Sequence, residues 1–172
     1  IDKLISNIKF KSIFMLKISQ VKKVGLIISE ENIKKKKIIV HDALFHRFKS
    51  LGLKINLVKY TTHTIESLST VIYELLKKDF FDLLLIYGST SIVDKNDIIP
   101  YSIKLLKGKI ITFGLPADPG NLALVAKINK TKVIGVPGCA SSPKRNGFDI
   151  ILERLCFGED VNINTIAEIS EG

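Results

Sequence analysis

The hydrophobic positions of this chain follow two different spacings in alternation. Short apolar or alternating runs predict strands at residues 22–29, 54–58, 83–87, 109–113, 122–128 and 132–136. Between them, apolar residues recur every three or four positions and predict helices at residues 38–51, 64–78, 98–106 and 148–157. Strands that alternate with helices are typical of a three-layer α/β/α domain with a mostly parallel sheet, here with a β-hairpin made of the last two strands.

Sheets of this type bind ligands beyond the carboxyl ends of their strands. Four loops of the predicted sheet therefore belong together, and they follow Ile28, Ile86, Phe113 and Val136. Each of these loops is rich in polar residues, glycine or proline. Because the carboxyl ends of parallel strands meet at one edge of a sheet, the sequence predicts a ligand site built from these loops.

The loop after the central strand carries several candidates for chemistry. Its first four residues are all small, and they are Gly88, Ser89, Thr90 and Ser91. Small residues let the backbone approach a ligand, and hydroxyl and main-chain N–H groups can hold a phosphate or the polar edge of a ring. Asp94 and Asp97 follow, and they are candidates for holding a metal ion or for orienting a hydroxyl. The alternative is that Asp97 only caps the next helix. The Gly-Lys-Ser/Thr ending of a P-loop is absent.

Two further loops of this edge combine turn residues with polar side chains. Two prolines and two glycines favour a rigid path in the first, whose candidates are Pro119, Gly120 and Asn121. The second loop supplies Gly138, Cys139, Ser142 and Lys144. We expect Lys144 to meet an anionic ligand. Two structural explanations compete: the Pro-Gly pair only enters the hairpin, and Asp149 complements the dipole of the last helix.

Composition narrows the class of protein without assigning a function. The net charge is +9, from 26 Lys and Arg against 17 Asp and Glu, but the lysines are scattered and are not interleaved with aromatic residues. That pattern argues against nucleic-acid binding. No apolar run approaches the roughly 18 residues that a membrane span requires, so we expect a cytoplasmic protein with no membrane partner. Cys139 and Cys156 lack metal-ligand spacing, and Cys156 falls in the apolar pattern of the last helix.

Several of these segments resemble the molybdopterin-binding domain of molybdenum-cofactor biosynthesis proteins. Tyr87–Ser91 stands where that family has Thr-Gly-Gly-Thr/Val-Gly/Ser, and Asp97–Pro100 matches its acidic element ahead of a helix. Pro119-Gly120 matches the family's Pro-Gly before the hairpin, and Val136–Ala140 matches its Leu-Pro-Gly-Asn-Pro element. The resemblance covers about residues 21–160, which is most of the chain.

The resemblance also suggests how the chain is divided. Segments similar to Asp118–Leu122 and Pro137–Asp149 recur in a branch of larger bacterial proteins, some of which carry a nucleotidyltransferase-like domain. We therefore expect an amphipathic end of an upstream region at residues 1–20, the molybdopterin-binding-like domain at residues 21–160, and a tail at residues 161–172.

The resemblance implies a protein that binds molybdopterin or its nucleotide form. Enzymes of the family either adenylylate molybdopterin, using ATP and Mg²⁺, or insert molybdate, so a transferase is implied. By this likeness Asp94 and Asp97 would hold the metal and take part in catalysis, while Gly88–Ser91 and Gly138–Ser142 would hold the ligand. Other molybdenum-cofactor proteins are implied as partners. A homo-oligomer is compatible with the likeness, since members of the family often form dimers or trimers.

Two other functions stay open at this point. One is a non-catalytic carrier or regulatory module that binds pterin. It is favoured because Ser89 replaces the second glycine of the family pair and because Ser29–Glu31 is all that remains of the first loop. The other is a different α/β enzyme that acts on a nucleotide. Ligand binding without nucleotide hydrolysis or transfer would identify the first, and nucleotide binding without pterin binding would identify the second.

Overall fold

The computed structural model describes residues 19–31, 37–159 and 161–167. The predicted segment at residues 1–20 lies almost wholly outside this part, as do most of the lysine run at residues 34–37, expected to be a solvated loop, and residues 168–172 of the predicted tail. The strands are β1 (Val24–Ser29), β2 (Leu57–Thr61), β3 (Leu83–Gly88), β4 (Lys109–Phe113), β5 (Leu124–Ile128) and β6 (Thr131–Val136). The helices are α1 (Lys37–Ser50), α2 (Ile65–Lys78), α3 (Ile98–Leu105), α4 (Gly147–Cys156) and α5 (Ile163–Ala167).

The strands of the described part form one sheet in the order β2-β1-β3-β6-β5-β4. β1 pairs in parallel with β2 and β3, and β3 pairs in parallel with β6. β5 runs antiparallel to β6 and β4, so the predicted hairpin of β5 and β6 is confirmed. β3 is buried along its whole length, as expected for a central parallel strand. The chain leaves β1 for β2 on one side and reaches β3 on the other, so the carboxyl ends of β1 and β3 form a topological switch point.

Helices cover both faces of the sheet, which confirms the predicted three-layer α/β/α fold. On one face Leu44 and Phe48 of α1 and Phe148 of α4 pack against β1, β3 and β6. On the other face Leu68 and Ile72 of α2, together with residues of α3, pack against the same strands. Successive residues of a strand point to opposite faces, so Leu26 and Ile27 fall in different clusters. Each face therefore has its own apolar core.

The observed elements differ from the predicted ones mainly at their ends. The second strand, predicted at residues 54–58, is observed at Leu57–Thr61. Asn56 explains the shift, because its backbone N–H donates to the Val24 carbonyl and its side-chain oxygen accepts from the Val24 N–H, ahead of the parallel register. Helix α5 is absent from the predictions. Val161, just ahead of this helix, and Ile166, within it, are buried in the core together with residues of α1 and α4. The division at residues 21–160 and 161–172 stays a prediction.

Candidate functional site

The switch point brings the ends of β1 and β3 into direct contact. Ser29 and Gly88 are paired in register, and the Ser89 N–H donates to the Ser29 carbonyl at 2.9 Å. A Cβ on Gly88 would lie 2.8 Å from His63 Cε1 and 3.0 Å from Ile99 Cδ1. At such a distance a side chain at the end of β3 would force the His63 ring to shift, so the site favours glycine.

His63 lies under this edge and connects the ends of three strands. Its Nδ1 is 2.9 Å from Ser29 Oγ, at the end of β1, and its Nε2 is 3.0 Å from Thr90 Oγ1, after β3. His63 itself follows β2 and is 7% exposed. Burial lowers the pKa of the His63 imidazole, while the negative charges of Glu31 and Asp97 partly oppose that shift. The ring is therefore neutral near neutral pH, with one N–H and one acceptor nitrogen.

The sequence predictions did not include His63. They considered the loops after β1, β3, β4 and β6 and left out the loop after β2. A signal was present, because Thr61-Thr62-His63-Thr64 is a polar segment directly after a strand of a predicted parallel sheet.

The β3 loop (residues 89–97) keeps some of its polar groups available. Ser89 Oγ is buried and has no hydrogen-bond partner within the described residues. Thr90 and Ser91 are exposed. A Cβ on Gly138 would lie 3.6 Å from Ser91 Oγ, which places the loop after β6 directly across from the β3 loop. A buried hydroxyl that lacks a partner is costly, and a ligand oxygen or N–H group would satisfy it.

Asp94 and Asp97 close the far end of the β3 loop. Asp97 Oδ2 accepts from the N–H groups of Val93 and Asp94, at 2.7 and 2.8 Å, and Asp94 Oδ1 accepts from the Asn96 N–H at 2.7 Å. Asp97 occupies the N-cap position of α3, but no cap hydrogen bond from its side chain is found in the described part of the chain. Within the same residues, no group of three or more His, Cys, Asp or Glu side chains has the arrangement of a metal site. The catalytic and metal roles of the two aspartates stay predictions.

The loop that enters the hairpin packs on the start of α4. The Gly147 N–H donates to the Pro119 carbonyl at 2.9 Å, and the Leu115 N–H donates to the Asn121 carbonyl at 2.8 Å. A Cβ on Gly120 would lie 2.5 Å from Gly147 N, and Gly120 has a φ of 122°. This turn therefore depends on glycine for both space and backbone conformation. Pro119 and Asn121 are exposed beside it.

The β6 loop (residues 137–146) is held by a buried arginine from α1. Arg47 donates to the carbonyls of Ala140 and Ser142, both at 2.7 Å, and to the Lys144 carbonyl at 3.2 Å. Its Nε donates to Asp149 Oδ1 at 2.6 Å. The loop that was predicted to hold a ligand is therefore fixed in large part by the hydrogen bonds that its backbone carbonyls accept from Arg47. Arg47 was missed because nothing in its local sequence distinguishes it from a basic residue in the last turn of a helix.

Asp149 has a structural role at the start of α4, as the sequence analysis favoured. Its Oδ2 accepts from the Asn146 N–H at 2.8 Å, and Asn146 Oδ1 accepts from the Phe148 N–H at 3.0 Å, so the two side chains form a capping box at α4. Lys144 is exposed, whereas Ser142 and Cys139 are half-buried. Of the candidates in this loop, Lys144 has the side chain best placed to reach a dissolved anion.

The two cysteines differ in exposure, since Cys139 is half-buried and Cys156 is buried. Burial raises the pKa of the Cys139 thiol, and it raises the pKa of Cys156 to about 12. Cys156 is buried in the core, as predicted. Neither thiol is therefore activated as a nucleophile. Within the described residues, every helix is too short or too polar to cross a lipid bilayer.

Comparison with known proteins supports the fold and leaves the activity open. No protein-family model matches the sequence, and no curated protein matches it. Among solved structures, the molybdopterin biosynthesis MoeA protein of Pyrococcus horikoshii matches with a TM-score of 0.61 and 21% identity, over 88% of this chain and 37% of that chain. The chain thus spans about a third of that MoeA protein.

Two smaller proteins match along nearly their whole length. The molybdopterin biosynthesis enzyme MoaB of Thermus thermophilus has a TM-score of 0.61 and 13% identity, over 88% of this chain and 98% of that one. A molybdenum cofactor biosynthesis protein B has a TM-score of 0.58 and 15% identity, over 81% and 96%. At these identities the likeness establishes the fold alone: the chain has the three-layer fold that these molybdenum-cofactor biosynthesis proteins share.

Proposed function

We propose that the chain binds molybdopterin, or its nucleotide form, at the carboxyl edge of the sheet, and that it acts in molybdenum-cofactor biosynthesis. The observation that carries the proposal is the set of polar groups at the start of the β3 loop. Ser89 Oγ is buried there without a partner in the described residues, next to the exposed hydroxyls of Thr90 and Ser91. The names of the MoeA and MoaB proteins that share the fold support a pterin as the ligand.

Each loop at this edge contacts a different part of such a ligand. Gly88, Ser89, Thr90 and Ser91 contact its phosphate or its pterin edge. Gly138 and Cys139 form the opposite side, which is supported by the 3.6 Å between a Cβ on Gly138 and Ser91 Oγ. Pro119, Gly120 and Asn121 shape the pocket beside α4. Ser142 and the exposed Lys144 meet the anionic end of the ligand, because a lysine ammonium attracts phosphate.

The two aspartates fit Mg²⁺ only in a site that also includes phosphate oxygens of the substrate. Asp97 Oδ2 and Asp94 Oδ1 accept hydrogen bonds within their own loop, while the other oxygen of each carboxylate accepts none from the described residues. Mg²⁺ is commonly held by one or two carboxylates together with substrate phosphates, and this donor set meets that description. A bound Mg²⁺ would neutralise phosphate charge, while Asp94 and Asp97 position it at the end of the β3 loop.

A binding module without turnover is the second candidate function. It is favoured by the same aspartates, because their hydrogen bonds to Val93, Asp94 and Asn96 give them a structural task that needs no metal. Incubation with ATP, Mg²⁺ and molybdopterin separates the two functions. Release of pyrophosphate supports an adenylyltransferase, and tight pterin binding without release supports the carrier.

Anaerobic titration calorimetry with molybdopterin tests the site itself. We expect Ser91→Ala and Asp97→Ala each to weaken binding by about tenfold or more, as the loss of one good hydrogen bond would. Asp79→Ala is the matched control, because Asp79 is an exposed carboxylate at the opposite edge of the sheet, beside Lys23. Circular dichroism confirms that each variant is folded. A folded wild-type protein that binds nucleotide but no pterin would contradict the proposal and favour a nucleotide enzyme.

A further inference from the structure

The protons of the Ser29–His63–Thr90 chain can be assigned so that every contact in it carries one proton. Ser29 Oγ lies 3.3 Å from the Thr62 carbonyl oxygen and 2.9 Å from His63 Nδ1. A carbonyl can only accept, so the contact with Thr62 uses the single proton of the Ser29 hydroxyl. The Thr62 carbonyl also accepts from the Thr64 N–H at 2.9 Å, and the arrangement in which Ser29 makes both of its contacts places an N–H on His63 Nδ1.

This assignment determines the other side of the ring. A neutral imidazole has one N–H, so Nε2 is an acceptor when Nδ1 carries the proton. The contact of 3.0 Å between Nε2 and Thr90 Oγ1 then uses the hydroxyl proton of Thr90. The opposite tautomer leaves the Ser29 and Thr62 oxygens 3.3 Å apart with no proton between them. The Nδ1–H tautomer satisfies every contact of the chain, and burial favours the neutral ring that it requires.

We infer that His63 is a positioning residue that presents Thr90 Oγ1 to the site as a hydrogen-bond acceptor, so that Thr90 recognises an N–H or O–H group of the ligand instead of a phosphate oxygen. The inference rests on the proposed pterin site and assigns its parts. The amide and amino N–H groups of a pterin ring are donors of the required kind, so the ring edge lies at Thr90. The phosphate lies away from it, towards Ser91 and the β6 loop.

The tautomer is measurable without any ligand. In protein labelled with ¹⁵N-histidine, a long-range ¹H–¹⁵N correlation spectrum separates protonated from unprotonated ring nitrogens. His63→Gln identifies the His63 signals, and His46→Gln, which changes an exposed residue of α1, is the matched control. We expect an Nδ1–H ring, and we expect Thr90→Val to shift the Nε2 signal more than the Nδ1 signal. An Nε2–H ring would overturn the inference whichever ligand binds.

Binding of two probes tests the consequence. The probes are 6-hydroxymethylpterin, which has ring donors and no phosphate, and inorganic pyrophosphate. We expect Thr90→Val to weaken pterin binding about tenfold and to leave pyrophosphate binding unchanged, while Thr90→Ser restores pterin affinity. An equal loss for both probes would overturn the inference. An Nδ1–H ring in a protein that binds no pterin would instead refute the proposed ligand and leave the direction of the chain in place.

Discussion

The β3 loop and the β6 loop lie across from each other, yet they use their polar groups in opposite ways. Carbonyls of the β6 loop accept hydrogen bonds from Arg47, and the loop ends in the Asn146–Asp149 capping box. The head of the β3 loop leaves Ser89 Oγ without a partner among the described residues. Both loops follow strands of one sheet and both are rich in small and polar residues. The difference shows that a polar loop at this edge of the sheet can either be held by its own hydrogen bonds or keep polar groups available for contact. The number of hydrogen bonds made within the fold distinguishes the two cases.

Removing the arginine that holds the β6 loop should have the largest effect. Arg47 is 8% exposed and Asp149 is 13% exposed, so Arg47→Ala leaves a carboxylate without its charged partner in a mostly dry environment. We expect the free energy of unfolding to fall by about 3–5 kcal/mol, measured by urea denaturation. Arg145→Ala is the control, because Arg145 is 67% exposed in its pair with Glu153 and should cost less than about 1 kcal/mol. Equal effects would show that Arg47 does not hold the loop.

Gly88, at the end of β3, and Gly138, in the β6 loop, should differ in the same experiment. A Cβ on Gly88 would lie 2.8 Å from His63 Cε1, whereas a Cβ on Gly138 meets its nearest neighbour at an ordinary 3.6 Å. We expect Gly88→Ala to lower the free energy of unfolding by about 1–3 kcal/mol through overpacking, and to move the His63 ring signals. Gly138→Ala should do neither. A tolerated Gly88→Ala with unchanged His63 signals would contradict the close approach seen at the end of β3.

Two serines, one in each loop, should differ in their effect on stability. Ser141 Oγ donates to the Gly138 carbonyl at 2.8 Å, so Ser141→Ala should cost roughly 0.5–1 kcal/mol. Ser89→Ala removes a buried hydroxyl that has no partner in the described residues, so stability should stay the same or rise by up to about 1 kcal/mol. Thermal unfolding measures both. We also expect Ser89→Ala to weaken pterin binding; a marked loss of stability would mean that this hydroxyl is already bonded within the fold.

The pH dependence of stability should report on His63 with a smaller effect. Burial holds the folded-state pKa below the usual value of 6.5, against the pull of Glu31 and Asp97, while Ser29 and Thr90 contact the two ring nitrogens. The unfolded chain therefore binds more protons just below pH 6.5. Stability should fall as the pH drops from 6.5 to the folded-state pKa, and this contribution should level off below it. His63→Gln should reduce the slope in urea titrations, and His46→Gln should leave it unchanged.

Much of the fold followed from the spacing of apolar residues. The run Leu83–Tyr87 predicted the buried central strand, and the apolar face from Ile65 to Leu76 predicted α2, which begins at Ile65 after its cap, Thr64. β4 was placed at its observed bounds, Lys109–Phe113. The start of β2 was missed because Asn56 bonds Val24, a residue more than thirty positions earlier, and local spacing carries no sign of such a contact.

The site could be predicted only as a set of loops. The sequence placed Gly88–Ser91 after the central strand because strand ends of a parallel sheet share an edge. It could not show that Asp97 would accept hydrogen bonds from Val93 and Asp94 without capping α3 through its side chain. Two aspartates at this spacing are compatible with a side-chain cap on α3 and with hydrogen bonds inside the loop. The conformation of the turn between them decides which of the two forms.

The layers and the parallel core followed from the sequence alone, since they depend on which residues avoid water and at what period, and from them came the prediction of a ligand site at the carboxyl edge. Which polar groups at that edge are already hydrogen-bonded became clear only from the packed structure. Arg47 reaches Ala140 and Ser142 from helix α1, and His63 joins Ser29 to Thr90 from the loop after β2. Hydrogen bonds act over about 3 Å between residues that can be any distance apart in the chain. Their partners are therefore set by how the elements pack.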